Sequence, residues 1–127
     1  VLFRSNDNLD NDRYRSAKDK WFFKGKRMNK IESIHDRIVM KSEAKSSTVL
    51  FTEGFKVVGL GFMAGQKLAQ HSSPSAAFLL VHQGNINFTM GGTTVTMKTG
   101  DFIAIPAKEE HEILATEDSR ILLTKGV

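Results

Sequence analysis

The sequence predicts an all-β sandwich or barrel, on three observations. After residue 47 the apolar residues fall into short runs of four to ten, many β-branched or aromatic. Glycine and proline turns separate these runs at close, regular spacing, the pattern of an antiparallel fold. Helical periodicity is absent from this stretch.

The elements follow in chain order. Thr48–Thr52 is β-branched and apolar, and Glu53-Gly54 is a turn. Phe55–Ala64 alternates, with expected bends at Gly59 and Gly61. Strands at Lys67–His71, Ala77–His82 and Ile86–Met90 come next. Gly91-Gly92 is a two-residue hairpin signal leading into Thr93–Met97. After the turn Thr99-Gly100-Asp101 come Phe102–Ile105, His111–Ala115 and Arg120–Thr124. Upstream, Ser42–Ser47 reads as a polar link. Residues 29–41 fit either a short helix, through Ile31, Ile34, Ile38 and Val39, or a strand at Arg37–Met40.

Composition narrows the function classes. With 127 residues, 40% of them hydrophobic and 25% charged, the chain has the profile of one globular domain. No run of some eighteen apolar residues offers a membrane span, and no signal-like stretch opens the sequence. The chain has no cysteine, so disulfides, thiolate ligands and a Cys nucleophile are excluded, and a cytoplasmic setting is expected.

The formal charge of +4 does not point to nucleic acid. Residues 1–27 hold eight Lys/Arg against four Asp, while residues 28–127 hold ten of each sign. The basic excess therefore lies outside the expected fold.

Residues 1–27 carry neither a 2.0 nor a 3.6 apolar period. Lys24-Gly25-Lys26-Arg27 back-translates to a purine-rich stretch of the kind that positions a ribosome before Met28. Val1-Leu2-Phe3-Arg4-Ser5 back-translates to a common sequencing-adapter end. The expected organisation is a non-native or disordered leader over 1–27 and one domain over 28–127.

Two motifs in register carry a family resemblance. Gly65, five residues, His71-Ser72-Ser73, three residues, Ala77, six residues and Gly84 form the first. Gly100, five residues, Pro106, four residues, His111 and, four residues later, Ala115 form the second. Residues 48–127, with the motif core at 65–115, thereby resemble the cupins. The resemblance implies a double-stranded β-helix, the jelly-roll barrel, after a short N-terminal segment, and commonly a homodimer.

It also implies where a metal would sit. Metal-binding cupins take His, His and Glu from the first motif and His from the second. Here His71 and His111 occupy the first and last of those positions, while Ser73 and Ala77 stand where a histidine and a carboxylate would be. A divalent Fe, Mn, Ni or Zn ion wants three or four protein ligands, and two neutral imidazoles supply no charge compensation. By the same resemblance His71 and His111 point into the barrel mouth from facing strands, as a metal pair or as anchors for an organic molecule. The bland alternative is a hydrogen-bonded pair in a half-buried pocket.

The remaining residues complete the expectation. Leu79 and Val81 share the face of Ala77. Phe62 or Met63, Phe88 or Met90, and Phe102 or Ile103/Ile105 add apolar lining, which ordinary core packing also explains. His82 falls on the opposite face, and His35 is read as solvated. Glu109 or Glu110 is a weak substitute for the missing carboxylate, and Gln70 a weaker one.

A small, mainly apolar cavity with few polar anchors suits a neutral organic ligand. Ligand-binding residues are therefore expected at His71, His111, Ser73, Ala77 and Leu79. Three functions stay open: a non-catalytic small-molecule binder, a two-histidine metal enzyme of oxygenase or isomerase type, and a barrel used for association. The loss of the carboxylate favours the first. A phosphate loop, a nucleophile elbow, a Ser-His-acid set and a helix-turn-helix are all absent from the sequence.

Overall fold

The computed structural model describes residues 31–126 and the backbone of 22–23 and 26–27. The rest of the proposed leader, and Met28, lie outside the described residues. The chain divides into two units, residues 1–33 and 34–127. In the first, strands β1 (Phe22–Phe23) and β2 (Lys26–Arg27) pair antiparallel.

The second unit is a barrel of two antiparallel sheets. A single helical turn, α1 (Ile34–Arg37), precedes nine strands: β3 (Ser46–Glu53), β4 (Phe55–Phe62), β5 (Lys67–His71), β6 (Ala77–Gln83), β7 (Asn85–Met90), β8 (Thr93–Lys98), β9 (Phe102–Ile105), β10 (His111–Ala115) and β11 (Ser119–Gly126). One sheet has the order β3-β4-β11-β6-β9 and the other β5-β10-β7-β8. This is the double-stranded β-helix.

Period-two alternation builds the core between the sheets. Leu60 and Phe62 of β4, Leu79 and Val81 of β6, Ile105 of β9, and Ile121 and Leu123 of β11 point inward from the larger sheet. Ile86 and Phe88 of β7, Met97 of β8, and Ile113 and Ala115 of β10 meet them from the smaller one. The parities left open by the sequence resolve accordingly. Phe62, Phe88, Ile103 and Ile105 face the core, with Met90 packed against it, while Phe102 is 64% exposed.

The β7–β8 connection is the expected hairpin: Met90 pairs with Thr93, and Gly91 and Gly92 have φ of 60° and 80°. Positive φ at both central residues matches the twist of the flanking strands, and glycine adopts it without steric cost.

Upstream, one open alternative resolves and two expectations change. Residues 34–37 form a helical turn rather than a strand at Arg37–Met40, closed by Ile38 N–H donating to the Ile34 carbonyl at 2.8 Å. Strand β3 begins at Ser46, inside the stretch read as a link. Gly59 and Gly61 serve close approach: a Cβ on Gly59 would lie 2.5 Å from Ile38 Cδ1, and one on Gly61 2.7 Å from Ser46 Oγ. Ile38, fully buried, packs on the outer face of the larger sheet where β4 has no side chains. Arg120 Nε donates to the Ile38 carbonyl at 2.9 Å and holds the segment there.

Candidate functional site

The two motif histidines meet at one end of the barrel. His111 opens β10 and pairs directly with His71, the last residue of β5, and with Met90, the last of β7. The loops 72–76 and 106–110 and the Gly91-Gly92 turn border this end. His71 and His111 thus stand on adjacent strands of one sheet, not on facing strands as expected. The physical reason is that β5 and β10 are neighbours in the smaller sheet, so register alone brings the rings together.

A β-bulge makes that possible. Leu68 and His71 are three residues apart, which in a regular strand puts them on opposite faces. The register slips between His111↔His71 and Ile113↔Leu68, so three steps along β5 span two along β10. The extra residue restores both side chains to the inward face, a common use of bulges beside functional sites.

The rings lie 4.4 Å apart between centroids at 58°. His111 is 3% exposed and stacks on Phe88 at 5.9 Å, while His71 is half-buried. Each Nδ1 lies 3.0 Å from the carbonyl two residues before it, Ala69 for His71 and Glu109 for His111. A carbonyl only accepts, so each Nδ1 carries the proton. In the neutral ring each Nε2 is then an unprotonated acceptor. Neither Nε2 has a hydrogen-bond partner among the described residues.

The other expected residues group around this pair. Ser73 lies in the 72–76 loop, accepts weakly at Oγ from Ser75 N–H, and offers its carbonyl to Lys108 N–H at 2.7 Å. Ala77 begins β6 at the same end, opposite Ile105. Leu79 lies two residues deeper, in the packed core with no solvent exposure. Glu110 accepts a hydrogen bond from Gln70, which occupies both weak candidates with each other. His82 is half-buried rather than simply at the surface, and touches exposed His35 edge-to-face at 5.8 Å.

The donor set fits a resident metal poorly. Among the described residues no group of three His, Cys, Asp or Glu converges. The Nδ1 bonds to carbonyls do orient both Nε2 atoms as a metal site would need, but two neutral nitrogens do not complete a coordination sphere. An open recess of about 350 Å³ bordered by Val95, Met97, Asp101, Phe102 and Ile103 contains neither histidine. It offers no convergent imidazoles, so the histidine pair is the better candidate.

One residue of the site was missed from sequence. Lys108 has φ of 69°, the one non-glycine in the left-handed region among the described residues. It is third in the turn Pro106–Glu109, closed by Glu109 N–H to the Pro106 carbonyl at 3.3 Å. A strained position of this kind costs about 1 kcal/mol or more for a side-chain-bearing residue. The signal was available, because the second cupin motif has glycine two residues after its proline, where this chain has Lys108.

Among the described residues no helix is long and apolar enough to cross a membrane. No curated protein is detectably similar to the chain. Solved structures are. An RmlC-like cupin protein of Desulfovibrio desulfuricans superposes with a TM-score of 0.70 at 22% identity, over 77% of this chain and 96% of its own. A Klebsiella pneumoniae protein with a double-stranded β-helix domain gives 0.71 at 18% identity, over 77% and 90%. A candidate mannose-6-phosphate isomerase of Ralstonia eutropha gives 0.68 at 18%, over 77% and 98%. At such identities these likenesses speak for the fold. The cupin-domain family model matches residues 60–124, taking in both motifs and the histidine pair, and the chain belongs to that family.

Proposed function

We propose that this cupin binds a small organic molecule at the barrel end, with His71 and His111 as its polar anchors. The observation that carries the reading is the pair of Nε2 acceptors, oriented by their Nδ1 bonds and left without a partner, beside Phe88 and Met90. Two acceptors on an apolar floor suit a ligand that presents hydroxyl or N–H donors. Ser73 and Ala77, in place of a histidine and a carboxylate, leave space and remove charge.

A second reading is supported by the same orientation of Nε2 and by the isomerase-named neighbour: a metal enzyme in which substrate or water completes the ligand set.

Elemental analysis of the full chain, purified without chelator, decides between them alongside His71→Ala/His111→Ala, with circular dichroism checking the fold. The binding reading expects no stoichiometric metal in either protein, and organic hydroxyl compounds that raise the melting temperature of the parent alone. Near-stoichiometric Fe, Mn, Ni or Zn that disappears in the variant overturns it in favour of the enzyme.

A further inference from the structure

We infer that the outer face of the larger sheet is the docking surface for a second copy of this chain, which meets it through the same face. The inference is independent of the ligand read at the histidine pair.

Strand register lays two rows of side chains across that face. Phe51, Val57, Thr124, Phe78 and Ala104 succeed one another from β3 to β9 in the first. Gly59, Leu122, Leu80 and Phe102 do the same from β4 to β9 in the second. In β4, β6, β9 and β11 these positions alternate with the core residues, so they turn outward. Ile38 covers the face at Gly59 and Gly61, and the aromatic positions stay open.

The aromatic residues set the scale of what is open. Phe51 and Phe55 touch at 4.9 Å towards one edge of the sheet, and Phe78 and Phe102 at 5.1 Å towards the other. They are 41%, 47%, 41% and 64% exposed in chain order. At about 200 Å² per phenylalanine, that leaves about 400 Å² of aromatic surface in water. Half-buried Val57, Leu80 and Leu122 enlarge it. The aromatic part alone reaches the size of the largest apolar patch on a typical monomer, about 300–600 Å². It is also about half of the ~800 Å² that each partner gives to a stable interface.

Charge selects the occupant. Neither row holds a charged residue. At the border, Glu53 ends β3 beside the turn into β4, and the Arg120 guanidinium is held by the Ile38 carbonyl and the Gln83 side chain. Such a face offers nothing to a nucleic acid or a charged peptide. Its complement is another apolar, charge-free face, and a second copy brings one of equal extent. A two-fold pairing then buries the same patch twice, as two sheets stacked about 10 Å apart.

Sedimentation velocity and light scattering on the full chain test this. A mass of about 28 kDa, twice the 14.2 kDa of one chain, is expected at micromolar concentration. Phe102→Glu and Phe51→Glu, at opposite edges, should each raise the dissociation constant about a hundredfold or more, since each change enters a two-fold interface twice. Both side chains are exposed, so circular dichroism should show the barrel intact. Leu114→Glu, at an exposed apolar position of β10 in the smaller sheet, should leave the dimer unchanged.

A single-chain mass at about 100 μM overturns the inference whatever the variants do. So does a dimer that survives both phenylalanine changes, or one that Leu114→Glu breaks equally. A monomer that floats with phosphatidylcholine vesicles, and loses them in Phe102→Glu, overturns it in favour of a lipid surface.

Discussion

The amide of Lys108 donates to the carbonyl of Ser73 at 2.7 Å, and this bond links the loop that ends in His111 to the loop that follows His71. A main-chain bond holds the two sides of the site, so the side chain of Lys108 is not needed for the link.

Replacing Lys108 by glycine therefore stabilises the protein. The bond to Ser73 remains, and the left-handed conformation no longer opposes a Cβ. Offsetting part of this, glycine has more freedom to lose on folding. A net gain of about 0.5–1 kcal/mol is expected in urea denaturation. A loss of stability would show that the lysine side chain contributes more than its backbone strain costs.

The two histidines differ in burial, and their alanine variants should differ in stability. His111 is 3% exposed and packed on Phe88, so His111→Ala leaves a void and should cost about 2–3 kcal/mol. His71 is half-buried at the strand end, and His71→Ala should cost under about 1 kcal/mol. Chemical denaturation of both variants checks the order, and equal costs would contradict the packing described here.

Ile38 and Gly59 should couple in a double-mutant cycle. Gly59→Ala places a Cβ 2.5 Å from Ile38 Cδ1 and should lift Ile38 off the sheet. Ile38→Ala removes a fully buried side chain, at about 2–4 kcal/mol. In the double variant the new methyl takes up part of the vacated space, so it should be no less stable than Ile38→Ala alone. Additive costs would mean that the two residues do not share this contact.

Ser119 is fully buried; its Oγ accepts from Asn85 N–H at 3.0 Å and donates to the Glu117 carbonyl at 2.8 Å. Ser119→Ala leaves the amide of Asn85 without that acceptor, a loss of about 1–3 kcal/mol. Amide exchange should show Asn85 losing protection, and unchanged protection would count against the bond.

Much of this architecture was legible in the residues. The runs at Phe102–Ile105 and His111–Ala115 coincide with β9 and β10, and Gly91-Gly92 falls where both φ values are positive. These signals are local: alternation reports a half-buried strand, and paired glycines report a turn that other residues adopt at a cost. The upstream segment was ambiguous for the opposite reason. One helical turn is too short for a 3.6-residue period to register, and what anchors it is Ile38 on a glycine surface formed far along the chain.

By itself, the sequence determined the all-β class, the place of each barrel strand to within about two residues at its ends, the two cupin motifs and the departures at Ser73 and Ala77, because side-chain period and turn chemistry are properties of neighbouring residues. Only the tertiary structure decided that His71 and His111 are partners on adjacent strands. A single extra residue in β5 reverses which face His71 occupies, and only the β10 register shows where that residue falls. It also decided that Lys108 keeps the left-handed conformation, at φ of 69°, which its place at a glycine position of the second motif only suggested.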